Sequence, residues 1–213
     1  MGNPMSIFEG LIDRYPVLKE CKDDILNAYE ILVECYQNGN KVLIAGNGGS
    51  AADAEHIVGE LMKGFMKRRE LSDATKELIM RRDASLGGIL AEKLQGALPA
   101  IALTSQSSIF TAFVNDVDAD LVFAQQVLGY GKPGDVFIGL TTSGNSPNII
   151  FAAYLASALG IKTIGFTGKS GGKLKDLCDV TIRVPADSTP RVQELHLPVY
   201  HALCAMVEEH FFG

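Results

Sequence analysis

Five short apolar runs, each separated from the next by stretches of helical character, confine this chain to one class of architecture. Val42 to Gly46, Ala100 to Leu103 and Asp135 to Leu140 show little polar–apolar alternation, while Lys162 to Phe166 and Val180 to Val184 carry more polar residues. A strand with one wet face alternates with period two. A strand that does not alternate must be covered on both faces, as in a parallel sheet between layers of helices. The predicted fold is therefore α/β: a three-layer sandwich with a central parallel sheet flanked by helices on both faces. With 213 residues, 47% of them hydrophobic, the chain suits a single domain over 1–213.

Between these runs, three- and four-residue apolar spacing predicts helices. Residues 6–38 form the first such region, broken by Pro16, and residues 1–39 read as long N-terminal helices that pack either on a second subunit or on the chain's own sheet. A helix from the glycine turn to about Met66 follows. Residues 67–98 then change character. Lys67-Arg68-Arg69-Glu70 through Arg81-Arg82-Asp83 is charge-rich at helical spacing, and Gly87-Gly88 separates it from a second piece, Ile89 to Leu94. This inserted charged segment is either a solvated excursion or a lid near the site. Further helices are expected at Ile109 to Val114, Leu121 to Leu128, Asn148 to Leu159, Lys173 to Leu177 and Val192 to Phe211.

A net charge of -6 argues against a nucleic-acid surface. Cys21, Cys35, Cys178 and Cys204 are widely spaced with no CxxC pair, and are expected to be reduced thiols of a cytoplasmic protein. No apolar run approaches the ~18 residues of a membrane span, so no membrane partner is expected. Met1-Gly2-Asn3-Pro4-Met5-Ser6 fits the N-myristoylation pattern in form, but no basic cluster follows it, and it is read as chance.

Ligands of open parallel sheets gather at the carboxyl ends of the strands. Gly46-Asn47-Gly48-Gly49-Ser50 follows the first run and opens a helix. That arrangement brings backbone close to an anion and aims free amides and the positive end of the helix dipole at it. The glycines also satisfy G-x-G-x-x-G/A, but the acidic residue a dinucleotide site needs about 20 residues on has no strand to close. Thr141-Thr142-Ser143-Gly144-Asn145-Ser146 is the stronger phosphate signal, since one hydroxyl would serve as a helix cap and four exceed that need. Gly165 to Lys169 closes the fourth run.

His56 and Glu60 lie one turn apart on a single helix face, as a metal pair, a catalytic pair or a surface hydrogen bond. On the last helix His196 and His201 point about 140° apart, so only one can serve that pair. Gln193 and His201 differ by about 80° in direction and about 12 Å along the axis, so a shared ligand would lie between them.

Gly46 to Ser50 with His56 and Glu60, Asn115-Asp116, Thr141 to Ser146, Thr167-Gly168-Lys169, and Arg191-Val192-Gln193-Glu194 with His201 together resemble the sugar isomerase (SIS) domain family. The branch they resemble is phosphoheptose isomerase, over nearly the whole chain and in the same order. The resemblance implies a flavodoxin-like sheet and a cytoplasmic homotetramer with active sites at subunit interfaces. The implied activity is an aldose–ketose isomerase that takes sedoheptulose 7-phosphate to D-glycero-D-manno-heptose 7-phosphate through an enediol. It assigns Asn47, Gly48, Gly49, Ser50, Glu60, Asn115, Asp116, Thr141, Thr142, Ser143, Ser146 and Gln193 to the phosphorylated sugar. Glu60 and His201 become the acid–base pair, and His56, Glu60, Gln193 and His201 correspond to the ligands of one zinc per subunit.

The chain departs from the family in three places. The 67–98 segment is longer than expected, Gly64 stands where an arginine is expected, and Pro190 stands where an aspartate is common. Lys63 or an arginine of the insertion is the expected substitute for the missing cation. A different class of function, a non-catalytic SIS-fold phosphosugar-binding or regulatory protein, is the alternative; the intact His56, Glu60, Gln193, His201 set favours the enzyme.

Overall fold

A computed structural model describes residues 3–213; Met1 and Gly2 of the myristoylation-like hexapeptide lie outside them. Among the described residues, β1 (Val42–Gly46), β2 (Ala100–Ala102), β3 (Val136–Leu140), β4 (Lys162–Thr167) and β5 (Val180–Arg183) form one sheet in the order β2-β1-β3-β4-β5. Every neighbouring pair is parallel. This is the flavodoxin-like order. All residues of β1 and β3 are buried, as unalternating strands require.

Period two within each strand divides the side chains between two cores. Val42, Ile44, Val136, Ile138, Ile164 and Ile182 face one, with α1 (Pro4–Arg14), α2 (Lys22–Gln37), α3 (Gly49–Met62) and α9 (Thr189–Phe212). Leu43, Ala45 and Phe137 face the other, with α7 (Val122–Tyr130) and α8 (Pro147–Ala158). The N-terminal helices thus cover their own chain's α9. Pro16 starts a 3-10 turn, Pro16–Cys21, between α1 and α2.

The expected helix to Met66 stops at Met62, where Lys63 becomes extended (φ -140°, ψ 172°). The cause is a buried clamp. Arg69 donates from Nη2 to Glu60 O at 2.8 Å and from Nη1 to Leu61 O at 2.5 Å, satisfying carbonyls of the last turn of α3. Its Nε donates to Glu208 Oε1 of α9 at 2.7 Å, and Glu208 also accepts the Phe65 and Met66 amides at 2.8 and 2.7 Å. Both side chains are 0% exposed.

The 67–98 segment contains α4 (Asp73–Arg82) and α5 (Ala84–Lys93), and its break falls at Asp83, not at Gly87-Gly88. Asp83 caps α5 by accepting the Ser85 and Leu86 amides at 2.9 and 2.8 Å. Gly87 lies inside α5 because a Cβ there would sit 2.7 Å from Ile79 O of α4, so the glycine permits close helix packing. The expected helix at Lys173 to Leu177 is only a 3-10 turn, Leu174–Asp176. The remaining helix, α6 (Ser107–Asp116), follows β2. No described helix is long and apolar enough to cross a membrane.

Removing one partner of a buried ion pair leaves an uncompensated charge, so Arg69→Met should lose about 3–5 kcal/mol in urea denaturation. The Arg69→Met/Glu208→Leu double variant should lose less than the sum of the two single changes. His196, 0% exposed, gives a second test. Burial lowers it from 6.5 to about 4. The unfolded chain therefore binds this proton more tightly, and stability is full above about 6.5 and lost as pH falls toward 4. Between pH 7 and pH 5 the wild type should lose about 2 kcal/mol that a His196→Gln variant keeps.

Candidate active site

The winding of the sheet reverses beside β1, and the loops leaving β1 and β3 meet there. After β1, Gly48 adopts φ 57°, ψ -120°, a left-handed conformation open to glycine, and α3 begins at Gly49. Asn47 and Asn148 exchange carboxamide hydrogen bonds at 2.9 and 3.0 Å, which ties the glycine turn to the head of α8. Asn148 was not singled out from the sequence, since 101 residues separate the partners and no local pattern joins them.

In the hydroxyl loop, Thr141 Oγ1 and Ser146 Oγ lie 2.8 Å apart. Ser146 occupies the N-cap of α8 yet makes no side-chain cap bond, so capping does not account for its hydroxyl. Ser143 Oγ accepts the Asn145 amide at 3.1 Å, and Thr142 Oγ1 is 3.4 Å from Thr189 Oγ1 at the head of α9. These hydroxyls and the free amides of α8 present the donors a phosphomonoester needs.

From the loops the site continues down the seam of α3 and α9, which run side by side in the same direction. At its upper end, Gln193 Nε2 lies 2.5 Å from where a Cβ on Gly49 would stand. Two turns lower, His56 Nε2 is 3.3 Å from Glu60 Oε1 and 3.5 Å from His201 Nε2. The structure therefore brings His56, Glu60 and His201 together and leaves Gln193 against the glycine turn. Lys63 Nζ stands 3.2 Å from Glu60 Oε2. Lys63, then, is the cation beside this carboxylate. The insertion's Arg81 pairs instead with Glu77.

Four neighbours, Tyr200, Asp53, Phe65 and Glu55, escaped sequence reasoning. Tyr200 donates to Asp53 Oδ1 at 3.1 Å and lies 3.1 Å from His56 Nδ1. The Phe65 ring covers His201 at 5.4 Å between centroids. Glu55 accepts from Thr104 Oγ1 and Ser105 Oγ at 3.2 and 3.0 Å, joining α3 to the end of β2. Asp53 and Glu55 share α3 with His56, and Asp53 lies one turn before it, a cue a helical wheel of α3 would have offered.

Burial, and then the neighbouring His56, hold His201 below the ordinary imidazole range, while Glu60 and Asp53 pull the other way. Burial raises Asp53, partly offset by the Tyr200 hydrogen bond. Burial and the Asp53 charge raise Tyr200. His196 belongs to the core: its Nε2 donates to Thr167 O at 3.3 Å. Asn115 and Asp116 bond to each other at 2.8 Å and to none of the other candidate residues.

As a donor set, two imidazoles and a carboxylate are ligands that zinc takes. The distances from His56 Nε2 to Glu60 and His201, 3.3 and 3.5 Å, are close to the edge of a tetrahedron around zinc, about 3.3 Å for 2.0–2.1 Å bonds. As they stand the side chains pair with one another, and no described group of three His, Cys, Asp or Glu is disposed to hold a metal ion. The donor chemistry fits, while the contacts seen are pairwise.

Comparison with known proteins bears on the family. The SIS domain pattern matches residues 13–91 and 78–168, two segments that overlap within the α4–α5 hairpin. A phosphoheptose isomerase from a Nitratiruptor species is 42% identical over 92% of this chain and 90% of its own. That of Aneurinibacillus thermoaerophilus is 44% identical over 84% and 78%. The solved phosphoheptose isomerase of Neisseria gonorrhoeae superposes with a TM-score of 0.73 at 33% identity, covering 96% of each chain. A transcription factor's sugar isomerase domain from Sphaerobacter thermophilus, at 17% identity and a TM-score of 0.53, shares the fold alone. The chain belongs to the SIS domain family and, within it, to the phosphoheptose isomerases.

Proposed function

We propose that this chain interconverts sedoheptulose 7-phosphate and D-glycero-D-manno-heptose 7-phosphate, as an aldose–ketose isomerase. The observation that carries the reading is the contact of His56 with both Glu60 and His201, on a seam that begins at a hydroxyl-rich loop. Along α3, His56 and Glu60 lie about 10 and 16 Å from Gly49 at 1.5 Å per residue. Such a span suits a substrate whose phosphate and carbonyl are at opposite ends of a long chain.

Isomerisation moves a proton between C1 and C2 and exchanges the protons on O1 and O2. Glu60, its Oε2 beside the Lys63 ammonium, takes a proton from C1 of the ketose, and the electron pair of that C–H bond forms the enediol. His201 gives a proton to O2 and takes one from O1. Glu60 then returns its proton to C2, leaving the carbonyl at C1. The Thr141, Thr142, Ser143 and Ser146 loop would hold the phosphate, and Asn47, Gly48, Gly49, Ser50 and Gln193 would contact the sugar; Asn115 and Asp116, which bond to each other and to no other candidate, are assigned to it by the family resemblance alone. The Phe65 ring packs beside His201, with 5.4 Å between ring centroids.

His56, Glu60 and His201 would hold one zinc per subunit, and Gln193 would join them only by turning down from Gly49. Bound there, zinc supplies Lewis-acid polarisation of the substrate carbonyl. Glu60 presents Oε1 to His56 and Oε2 to Lys63.

The assembly we propose is a cytoplasmic homotetramer, with the whole chain as one SIS domain. Phe151 and Tyr154 on α8, 45% and 65% exposed, are large apolar groups of the kind that partner subunits cover. The N-terminal helices would extend that packing, and 67–98 would stand off the body as an insertion. The non-catalytic alternative is not favoured, given the relatives and the complete His56, Glu60, Gln193, His201 set.

Glu60→Gln should lower turnover of sedoheptulose 7-phosphate by about 10²–10⁴-fold or more, followed by NMR, with melting temperature and sedimentation unchanged. A variant near the wild-type rate would contradict the assignment.

A further inference from the structure

Tyr200 stands beside the acid–base cluster on α9, 1% exposed, with its hydroxyl between two residues of α3. It donates to Asp53 Oδ1 at 3.1 Å, and His56 Nδ1 lies 3.1 Å from the same phenol oxygen. A phenol has one proton to give. With that proton directed to Asp53, the phenol oxygen can only accept, and the proton between Tyr200 and His56 belongs to His56 Nδ1. A neutral imidazole protonated at Nδ1 has a bare Nε2. That nitrogen is the one facing Glu60 Oε1 at 3.3 Å and His201 Nε2 at 3.5 Å.

We propose that Tyr200, oriented by Asp53, is a positioning residue that fixes His56 as its Nδ1–H tautomer and aims the Nε2 lone pair at Glu60 and His201. Ring packing restrains the same groups. Tyr200 meets His56 edge-on at 5.6 Å and 75°, and His201 at 5.0 Å and 88°. Asp53 and His56 are one turn apart on α3, so the chain of bonds is set by the docking of α3 on α9. It leaves two lone-pair atoms, His56 Nε2 and Glu60 Oε1, turned toward each other. Such a pair calls for a proton or a cation between them, and a divalent cation of the zinc class meets that need. Second-sphere partners of this kind set ligand orientation and basicity.

The proposal deepens the isomerase reading, and only its metal arm rests on that reading. The direct test is the histidine tautomer in the intact, chelator-treated protein, from long-range 1H–15N spectra above the imidazole titration range. The chain has only four histidines. His196, which donates from Nε2 to Thr167 O, is an internal reference of the opposite tautomer and reports an intact core. The wild type should show His56 with its proton on Nδ1. Tyr200→Phe should relax it to a mixture. Asp53→Ala frees the phenol proton for His56 Nδ1 and should drive the ring to the Nε2–H form, a reversal that a purely space-filling Tyr200 does not produce.

A wild-type His56 in the Nε2–H form overturns the proposal without any variant. So does an Asp53→Ala spectrum unchanged at His56 while the His196 signal persists. In competition with a chromophoric chelator, Tyr200→Phe should bind zinc about 10–100-fold more weakly than wild type; equal affinity counts against the proposal. Wild-type protein that takes no zinc removes the metal reading alone, and absence of sugar-phosphate turnover removes the isomerase reading alone. In both cases the tautomer still decides the role of Tyr200.

Discussion

The site depends on one buried ion pair that none of its reacting groups belongs to. Arg69 and Glu208 are both fully buried, and between them they bind the carbonyls of Glu60 and Leu61 and the amides of Phe65 and Met66. Glu208 lies seven residues beyond His201, two turns along the same face of α9. The pair therefore fixes the end of α3 that carries Glu60 against the helix that carries His201. It also orders the turn whose Phe65 ring covers His201. A buried pair of this sort adds little net stability compared with apolar residues of similar size. Its effect is on geometry, because any other arrangement of α3 and α9 would leave a charge unpaired in the core.

The same clamp explains how the chain carries its insertion without disturbing the seam. Arg69 O accepts the Gly96 amide at 2.9 Å, and Gln95 Oε1 accepts the Gly64 amide at 2.7 Å, so the segment leaves and re-enters at a closed neck. Beyond the neck, α4 and α5 pack chiefly on each other. At the other end of the seam the Asn47–Asn148 exchange joins the loops after β1 and β3. The substrate path is thus fixed at both ends, by carboxamides above and by the ion pair below.

The sheet was legible because unalternating strands admit few architectures. The glycine turn, the hydroxyl loop and the His56/Glu60 spacing were legible because each is local. Sequence periodicity misplaced the end of α3 and the break between α4 and α5 for one reason. Both are decided by residues distant in sequence or by close packing: Arg69 and Glu208 in the first case, Gly87 on Ile79 in the second. Helix geometry left only one of His196 and His201 for the site without saying which; burial against Phe166 and Thr167 assigns His196 to the core. Tyr200 and Asn148 were silent because their partners lie 147 and 101 residues away. Gln193 lies at Gly49, two turns above His201, the axial separation that helix geometry gave for the pair.

In the mechanism we propose, Glu60, held beside His56 and Lys63 and clamped through its own carbonyl, moves a proton between adjacent carbons of a phosphorylated heptose. Running the reaction on sedoheptulose 7-phosphate in deuterium oxide reads that transfer directly by NMR. The expected product is an aldoheptose phosphate carrying deuterium at C2, to the extent that the proton held on Glu60 exchanges with solvent before it is returned. Unchanged sedoheptulose 7-phosphate with no deuterium at C1 would contradict that mechanism.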